Sequence, residues 1–225
     1  MAKKPVVTAR RGPSPLVVIG IVVVVLFAAF VGFGVYRASQ PDTSNLAIPA
    51  NATATGVNVG QPSAKATIEI YLDFQCPVCR AYEAQSGATV QQMIDDGQAK
   101  VVYHPLAFLD RMSSTQYSTR ASQASGCASD SNVFQPFLKL LYDNQPPENG
   151  DGLPNSQLID YLKQAGATGD YAACVNDNKY AAWTKGLTDA ASKAGVNATP
   201  TVMVNGKQID NTDAALRQAV AAAQK

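Results

Sequence analysis

The stretch Thr67–Tyr82, T-I-E-I-Y-L-D-F-Q-C-P-V-C-R-A-Y, joins an extended pattern to a helical one. Its first half is a run of alternating β-branched and aromatic residues, Ile68, Ile70, Tyr71, Leu72 and Phe74, which is typical of a buried β-strand. The alternation ends at C-P-V-C, residues 76–79, and a helical pattern follows. We therefore predict a strand that leads directly into a helix, with two cysteines at the junction.

The spacing of these two cysteines has a chemical meaning. On the first turn of a helix, positions i and i+3 share one face, so the two sulfurs lie close enough to form a disulfide. Pro77 suits the first helical position, because an N–H there would have no partner within the helix. The free N–H groups and the helix dipole favour a thiolate at Cys76, and a thiol with a lowered pKa is reactive in disulfide exchange.

Zinc binding and a purely structural disulfide are the alternatives for this pair. Zinc takes about four ligands, and the chain offers only Cys127, Cys174 and His104 besides. None of these three residues forms a second closely spaced pair, and a structural disulfide across C-x-x-C would close a very short loop. We therefore favour redox chemistry without a metal. His104 is interpreted as a structural residue in a strand, beside Pro105.

Charge is unevenly distributed along the 225 residues. The first 37 residues hold five basic and no acidic side chains, whereas residues 38–225 hold 13 basic and 17 acidic ones, a net charge of −4. This mildly acidic body contains no patch of the kind that binds nucleic acid. We expect no nucleic-acid partner.

Leu16–Tyr36 is an apolar run of 21 residues without a charged side chain. As a helix it would span about 31 Å, roughly one hydrocarbon core. Because basic residues precede it, residues 1–15 are predicted to be cytoplasmic and the body extracytoplasmic. The run is long and is followed by Tyr36-Arg37 rather than by a small-residue cleavage site, which favours a single-pass signal anchor in the cell membrane over a cleaved signal.

The rest of the chain divides into a linker and a body. Residues 37–60 are small and polar without an apolar period, and we interpret them as a tether, with a short strand near 55–59. The body, residues 61–225, is predicted to run strand, helix, strand, a helical block over about 112–194, two strands and a final helix. One helix of that block is predicted over 177–194, and Asn205-Gly206 predicts a hairpin between the last two strands.

This order of elements, with C-P-V-C at 76–79 and A-T-P-T-V at 198–202, resembles the thioredoxin superfamily. The helical block is similar to that of the DsbA-like branch, in particular the membrane-tethered DsbA-like proteins of Gram-positive-type envelopes. The resemblance covers about residues 61–225. It implies an α/β fold, a central mixed sheet flanked by helices with an inserted helical domain, here preceded by one transmembrane helix.

The resemblance also assigns roles to individual residues. Cys76 is the implied nucleophile, Cys79 the buried resolving cysteine, and Thr199-Pro200 the cis-proline segment that faces the disulfide. A proline before a β segment lacks a donor and leaves a backbone edge free to pair with an extended substrate peptide. The residues expected to support the cysteines are Pro77, Val78, Thr199, Pro200 and Asp73.

Two positions depart from the pattern of well-known members. Many thioredoxin-like domains have a buried acid six residues before the nucleophile, where this chain has Ile70. Asp73 is a candidate acid or base, and a solvated or hydrogen-bonded acid at the strand end is the alternative. Val78 stands where the best-known oxidases have a histidine, and a valine side chain cannot donate a hydrogen bond to a thiolate. We therefore expect the pKa of Cys76 to lie below that of a free thiol but to be less depressed than in those oxidases. The oxidising power should accordingly be milder than theirs.

An even number of cysteines in an exported domain fits an oxidising compartment. Pairing of Cys76 with Cys79 leaves Cys127 and Cys174, which are predicted to form a structural disulfide that cross-links the helical block. Two free buried thiols are the alternative. On the loop-entropy model such a disulfide contributes up to about 4 kcal/mol.

The expected reaction is thiol–disulfide exchange with reduced, newly exported proteins, without a metal or organic cofactor. Reoxidation then needs a partner, which the resemblance implies is a quinone-linked membrane protein of the DsbB or vitamin K epoxide reductase-like type. Two alternatives use the same fold. One is an envelope reductase or isomerase that uses the same cysteines, and the other is a binding module that holds a metal or a client without turnover.

Overall fold

A computed structural model describes residues 46–225. The elements alternate between a sheet and helices, and a block of five helices separates the third strand from the fourth. In chain order they are β1 (Val57–Val59), β2 (Ala66–Leu72), α1 (Pro77–Asp95), β3 (Ala99–Pro105), a 3₁₀ turn (Asp110–Met112), α2 (Tyr117–Asp130), α3 (Phe134–Asp143), α4 (Asn155–Gln164), α5 (Tyr171–Asn176), α6 (Ala181–Lys193), β4 (Thr201–Val204), β5 (Lys207–Ile209) and α7 (Asp213–Ala223).

The five strands form one mixed sheet in the order β1-β3-β2-β4-β5. Strands β2 and β3 are parallel, and the other three pairs are antiparallel. Strand β2 is central, and its Ile70 lies between Tyr103 of β3 and Val202 of β4. The β4–β5 hairpin turns at Asn205 and Gly206, which have φ angles of 49° and 76°, the left-handed pair that a tight hairpin requires.

The helical block packs around α2, which contacts α3, α4, α5 and α6. Eleven residues of α2 are buried, and most of them are alanine, serine or glycine. Small side chains allow the neighbouring helices to approach closely. A disulfide between Cys127 and Cys174 joins α2 to α5 across 47 residues of sequence.

The folded body begins earlier than the predicted linker boundary at residue 60. Strand β1 pairs antiparallel with β3, and the indole N–H of Trp183 donates to the Thr53 carbonyl at 2.8 Å. The Ala50 N–H donates to the carboxylate of Asp130 at 2.9 Å. A linker-like composition therefore conceals a segment that is held by long-range backbone hydrogen bonds.

The single helix predicted over 177–194 is also corrected. Its first four residues form a turn in which Asn178 has a φ of 52°, and the helix begins at Ala181. A left-handed residue cannot continue a right-handed helix, so α5 and α6 are separate elements.

The predicted α/β fold with an inserted helical block is confirmed. The predicted transmembrane helix over 16–36 lies outside the described residues. Among the helices within residues 46–225, none combines the length and the apolar character needed to cross a membrane.

We predict that replacing both Cys127 and Cys174 with alanine lowers the free energy of unfolding by about 2 to 4 kcal/mol, because the unfolded chain gains the freedom of a 47-residue loop. Urea unfolding followed by the fluorescence of Trp183, the one tryptophan of the chain, measures this difference. An unchanged urea midpoint would contradict a stabilising role for the disulfide.

Candidate active site

The reactive stretch lies at the first turn of α1. Cys76 is the N-cap residue, with an extended backbone (φ −75°, ψ 117°), and Pro77 is the first helical residue. The Cys76 N–H donates to the Asp73 carbonyl at 3.0 Å, and the Arg80 N–H closes the first helical turn on the Cys76 carbonyl at 3.2 Å. The helix start is therefore held by backbone bonds on both sides of Cys76.

The two cysteines of this turn are free thiols with different exposure. Cys76 retains 6% of its accessible surface and Cys79 only 2%. Val78 between them is 60% exposed, although large apolar side chains in the described chain are otherwise mostly buried. A molecule that approaches this turn therefore meets Cys76 beside an apolar surface, while Cys79 lies behind it.

The segment before β4 faces the first cysteine. The Thr199–Pro200 peptide bond is cis, and the sulfur of Cys76 lies 3.3 Å from the carbonyl oxygen of Thr199. The fold thus brings together two predicted site segments that are 123 residues apart in sequence. As a thiol, Cys76 donates to this carbonyl.

The pKa of Cys76 is lowered from its ordinary value of 9.0 to about 6. The hydrogen bond from the Cys79 thiol is the largest cause, burial opposes it, and the Thr199 side chain and the N–H groups of Cys79 and Val78 lower the pKa further. The Thr199 carbonyl cannot donate to a thiolate, so that contact does not lower the pKa of Cys76. The direction agrees with the sequence prediction, but the partner thiol matters more than the helix N-terminus.

Burial is the largest influence on the pKa of the second cysteine. It raises the pKa of Cys79 far above the ordinary value, and the hydrogen bond to Cys76 and the negative charge there raise it further. The two sulfurs therefore share one proton, which stays on Cys79 while Cys76 ionises. This makes Cys76 the available nucleophile and the better leaving group of the pair.

Asp73, predicted either as a proton carrier or as a hydrogen-bonded acid, is completely buried. Its carboxylate accepts from the hydroxyl of Ser118 at 2.7 Å and from the N–H groups of Gln75 and Leu109 at 2.9 Å each. Burial raises its pKa to about 6 despite these three bonds, and the charge of Cys76 adds a small increase. The geometry favours a structural acid that joins the strand end to α2.

Two glutamines beside the active-site loop were not identified from the sequence. The Gln75 amide donates to the Met112 carbonyl, and the Gln145 amide donates to the carbonyls of Phe74 and Cys76 at 2.9 Å each. Gln145 lies about 70 residues from its partners. No local pattern indicates such a contact.

Glu83 was also missed, although its spacing offered a signal. It lies four residues after Cys79 on α1, one helical turn along the same face. Burial raises its pKa to about 7, while Lys139 lowers it and Asp143 raises it. Glu83, Lys139 and Asp143 line a groove of about 510 Å³ between α1 and α3.

The other predicted residues lie elsewhere. His104 is buried in β3, where its ring stacks on Tyr71 and its Nδ1 contacts the Thr55 carbonyl. Burial lowers the pKa of His104 to about 4, so the ring is neutral and supports the sheet. Cys127 and Cys174 lie in the helical block, not at the start of α1. Within residues 46–225, no three side chains of His, Cys, Asp or Glu are grouped to hold a metal ion.

Comparison with known proteins agrees with this architecture. A family model described as thioredoxin matches residues 52–222. The chain belongs to the thioredoxin family. Two solved structures from Mycobacterium tuberculosis are similar. The reduced disulfide bond oxidoreductase DsbG has 35% sequence identity and a TM-score of 0.63, over 74% of this chain and 90% of that one. Oxidised DsbA has 34% identity and a TM-score of 0.64, over 77% and 90%.

A curated relative places a similar sequence in a larger protein. The serine/threonine-protein kinase PknE of M. tuberculosis is 31% identical over 193 residues, which is 78% of this chain and 34% of the kinase. The chain thus spans about a third of the length of this kinase. The prediction of a DsbA-like member of the thioredoxin superfamily is confirmed.

Replacing Cys79 with alanine should raise the pKa of Cys76 by about one to two pH units, because it removes a hydrogen bond to a thiolate. Cys79→Ser is the matched control, since its hydroxyl still donates and should keep the pKa closer to that of the reduced wild type. The ultraviolet absorbance of the thiolate as a function of pH measures all three proteins. Equal values for the alanine and serine variants would refute the sulfur–sulfur hydrogen bond as the main cause.

Asp73→Asn should change how stability depends on pH. The pKa of Asp73 rises from 3.8 to about 6 on folding, so its proton favours the folded state below about pH 4. That stability is lost as the pH rises through about 6. The free energy of unfolding of the wild type, relative to the variant, should fall by up to about 3 kcal/mol over this range. Urea unfolding between pH 4 and 7 measures it, and parallel curves for the two proteins would contradict the prediction.

Proposed function

We propose that this chain is an extracytoplasmic thiol–disulfide oxidoreductase that introduces disulfides into exported proteins at the Cys76–Cys79 pair. The observation that carries the proposal is the asymmetry of the two thiols. One is stabilised as a thiolate at the start of α1, and the other is buried and keeps its proton. An interaction that favours the thiolate favours the reduced pair, and a pair that is stable when reduced is an oxidant when it is a disulfide.

The first step transfers the disulfide to the substrate. A substrate thiolate attacks the sulfur of Cys76 in the oxidised enzyme. A bond forms between the two sulfurs, the Cys76–Cys79 bond breaks, and Cys79 leaves with the electron pair and takes up a proton. Attack at Cys76 follows from its position, since Cys79 is behind it and nearly inaccessible.

The second step releases the oxidised product. The second thiolate of the substrate attacks the substrate sulfur of the mixed disulfide, and Cys76 departs as a thiolate. The low pKa of Cys76 favours this departure. The high pKa of Cys79 keeps that residue a thiol, which slows the competing return reaction. The substrate has then lost two electrons, and both enzyme cysteines are reduced.

The surface around Cys76 suits an unfolded protein substrate. Val78 is exposed beside the sulfur, and Thr199 and Pro200 lie opposite it. An extended peptide has apolar side chains for such a surface and a backbone that can pair with the edge before β4. The two similar structures are those of the disulfide bond oxidoreductase DsbG and of DsbA, which supports reduced exported proteins as the substrate class.

Turnover requires that the reduced pair be oxidised again. We propose a quinone-linked membrane protein of the DsbB or vitamin K epoxide reductase-like type as the oxidant, which accepts two electrons from Cys76 and Cys79. The apolar run at 16–36 is proposed as a signal anchor that holds residues 61–225 outside the membrane beside this partner. Residues 1–15 then lie in the cytoplasm.

The redox equilibrium of the full chain with glutathione tests the direction of the reaction. We expect a potential clearly above the roughly −270 mV of thioredoxin, and oxidation of a reduced client by the disulfide form. Cys76→Ser should abolish this exchange, whereas Cys79→Ser should retain a mixed disulfide at Cys76. A potential as low as that of thioredoxin would instead indicate an envelope reductase.

A further inference from the structure

The loop before α1 receives a pair of hydrogen bonds from a residue with no assigned role. The side-chain amide of Gln145 donates to the carbonyl oxygens of Phe74 and Cys76, both at 2.9 Å. Within residues 46–225, no other protein group donates to the Phe74 carbonyl. The Cys76 carbonyl also accepts from the Arg80 N–H, so Gln145 completes the hydrogen bonding of the helix start.

We propose that Gln145 is a positioning residue for disulfide exchange, and that its amide shifts the redox equilibrium of Cys76 and Cys79 towards the reduced pair. This inference rests on the proposed function, because it concerns the same two cysteines. Gln145 makes no hydrogen bond to either sulfur, and it acts through the backbone of residues 74–76.

The charges around the thiolate determine its stability. Carbonyl oxygens carry partial negative charge, and one of these two belongs to Cys76 itself. A thiolate is destabilised by such oxygens and stabilised by N–H groups directed towards the same region. The Gln145 amide places its positive end on both oxygens, in a part of the protein where Phe74 and Cys76 are buried and electrostatic interactions are stronger than in water.

The position of the amide is set by the end of α3. The Gln145 N–H donates to the Tyr142 carbonyl at 3.3 Å, and the Tyr142 hydroxyl donates to the Asp73 carbonyl at 3.3 Å. Tyr142 in the last turn of α3 and Gln145, two residues after that helix ends, therefore contact the loop at Asp73, Phe74 and Cys76. An amide held in this way is already oriented when Cys76 ionises.

A redox effect differs from a merely structural one in a measurable way. A bond that holds the loop equally in both redox states contributes equally to their stability and leaves the equilibrium with glutathione unchanged. A bond that favours the thiolate stabilises the reduced protein alone, because the disulfide carries no charge. The pKa of Cys76 and the equilibrium constant must then change together.

The experiment compares Gln145→Met, which keeps the size of the side chain and removes both donors, with the wild-type full chain. We expect the pKa of Cys76 to rise by about half a pH unit to one pH unit. At about pH 8, the equilibrium with glutathione should move about threefold to tenfold towards the enzyme disulfide. Gln145→Glu, which adds a negative charge at the same site, should shift both quantities further in the same direction.

Asn144→Asp is the matched control. It adds the same charge one residue away, where the Asn144 amide donates only to the Leu140 carbonyl of its own helix. This variant should keep the pKa and the equilibrium constant near the wild-type values. Melting temperatures of the oxidised and reduced forms show that each variant is folded, and the reduced form of Gln145→Met should lose more stability than the oxidised form.

Two results would overturn the inference. One is an equal loss of stability in both redox forms with an unchanged pKa and equilibrium constant, which would make Gln145 a structural residue only. The other is an equal change of the pKa and the equilibrium constant in Gln145→Glu and Asn144→Asp, with no change in Gln145→Met. That result would mean that an added charge, and not the loss of the amide donors, causes the change. If wild-type Cys76 and Cys79 fail to exchange with glutathione, the proposed function fails, while the pKa comparison still decides the role of Gln145.

Discussion

The complete burial of the Asp73 carboxylate constrains the structure around it. A buried charge is costly unless its oxygens are hydrogen-bonded, and the donors to Asp73 come from three parts of the chain. Gln75 belongs to the same loop, Leu109 to the segment after β3, and Ser118 to α2. The sheet, the crossing segment and the helical block must therefore meet at this residue, three positions before the reactive sulfur.

The same low-polarity surroundings separate the behaviour of the two thiols. Burial alone raises the pKa of any thiol, and it does so for Cys79. At Cys76 the increase in pKa is outweighed, because a thiol and several N–H groups donate to its sulfur. The strongest of those donors is Cys79 itself. The proton that Cys79 keeps is therefore the same proton that stabilises the thiolate of Cys76. Val78 contributes only its backbone N–H to this, which agrees with the expectation that an apolar residue there leaves the thiolate without a side-chain donor.

The parts of the fold that were predictable are those encoded by neighbouring residues. The strand alternation before Cys76, the proline at the start of α1 and the Asn205-Gly206 turn each act over a few positions, and the structure contains all three elements. Cys76 and Cys79 were identifiable for the same reason. Family resemblance, rather than any local pattern, was needed to associate Thr199-Pro200 with them.

The missed features depend on contacts between distant residues. Ser118 lies 45 residues from Asp73, and Gln145 lies 69 residues from Cys76, so neither position carries a local signal. The strand predicted near 55–59 is present as β1 and pairs with β3. The contacts of residues 46–54, such as the hydrogen bond from Trp183 to Thr53, were missed because composition is insensitive to them. A smaller error of the prediction concerns Asn178. The helix-forming residues around it gave no sign of its left-handed backbone, so the helix was predicted to begin too early.

These long-range contacts assign a role to the inserted helices. The thioredoxin unit supplies the helix start and Thr199, while the polar groups that hold the loop before Cys76 come mostly from the insertion, through Ser118, Tyr142 and Gln145. Ser118 lies on α2, the helix that Cys127 cross-links to α5. The structural disulfide therefore stabilises the same helix that hydrogen-bonds Asp73. A thioredoxin fold without the insertion would retain both active-site cysteines but would lose these donors, so the helical block contributes directly to the chemistry of the site.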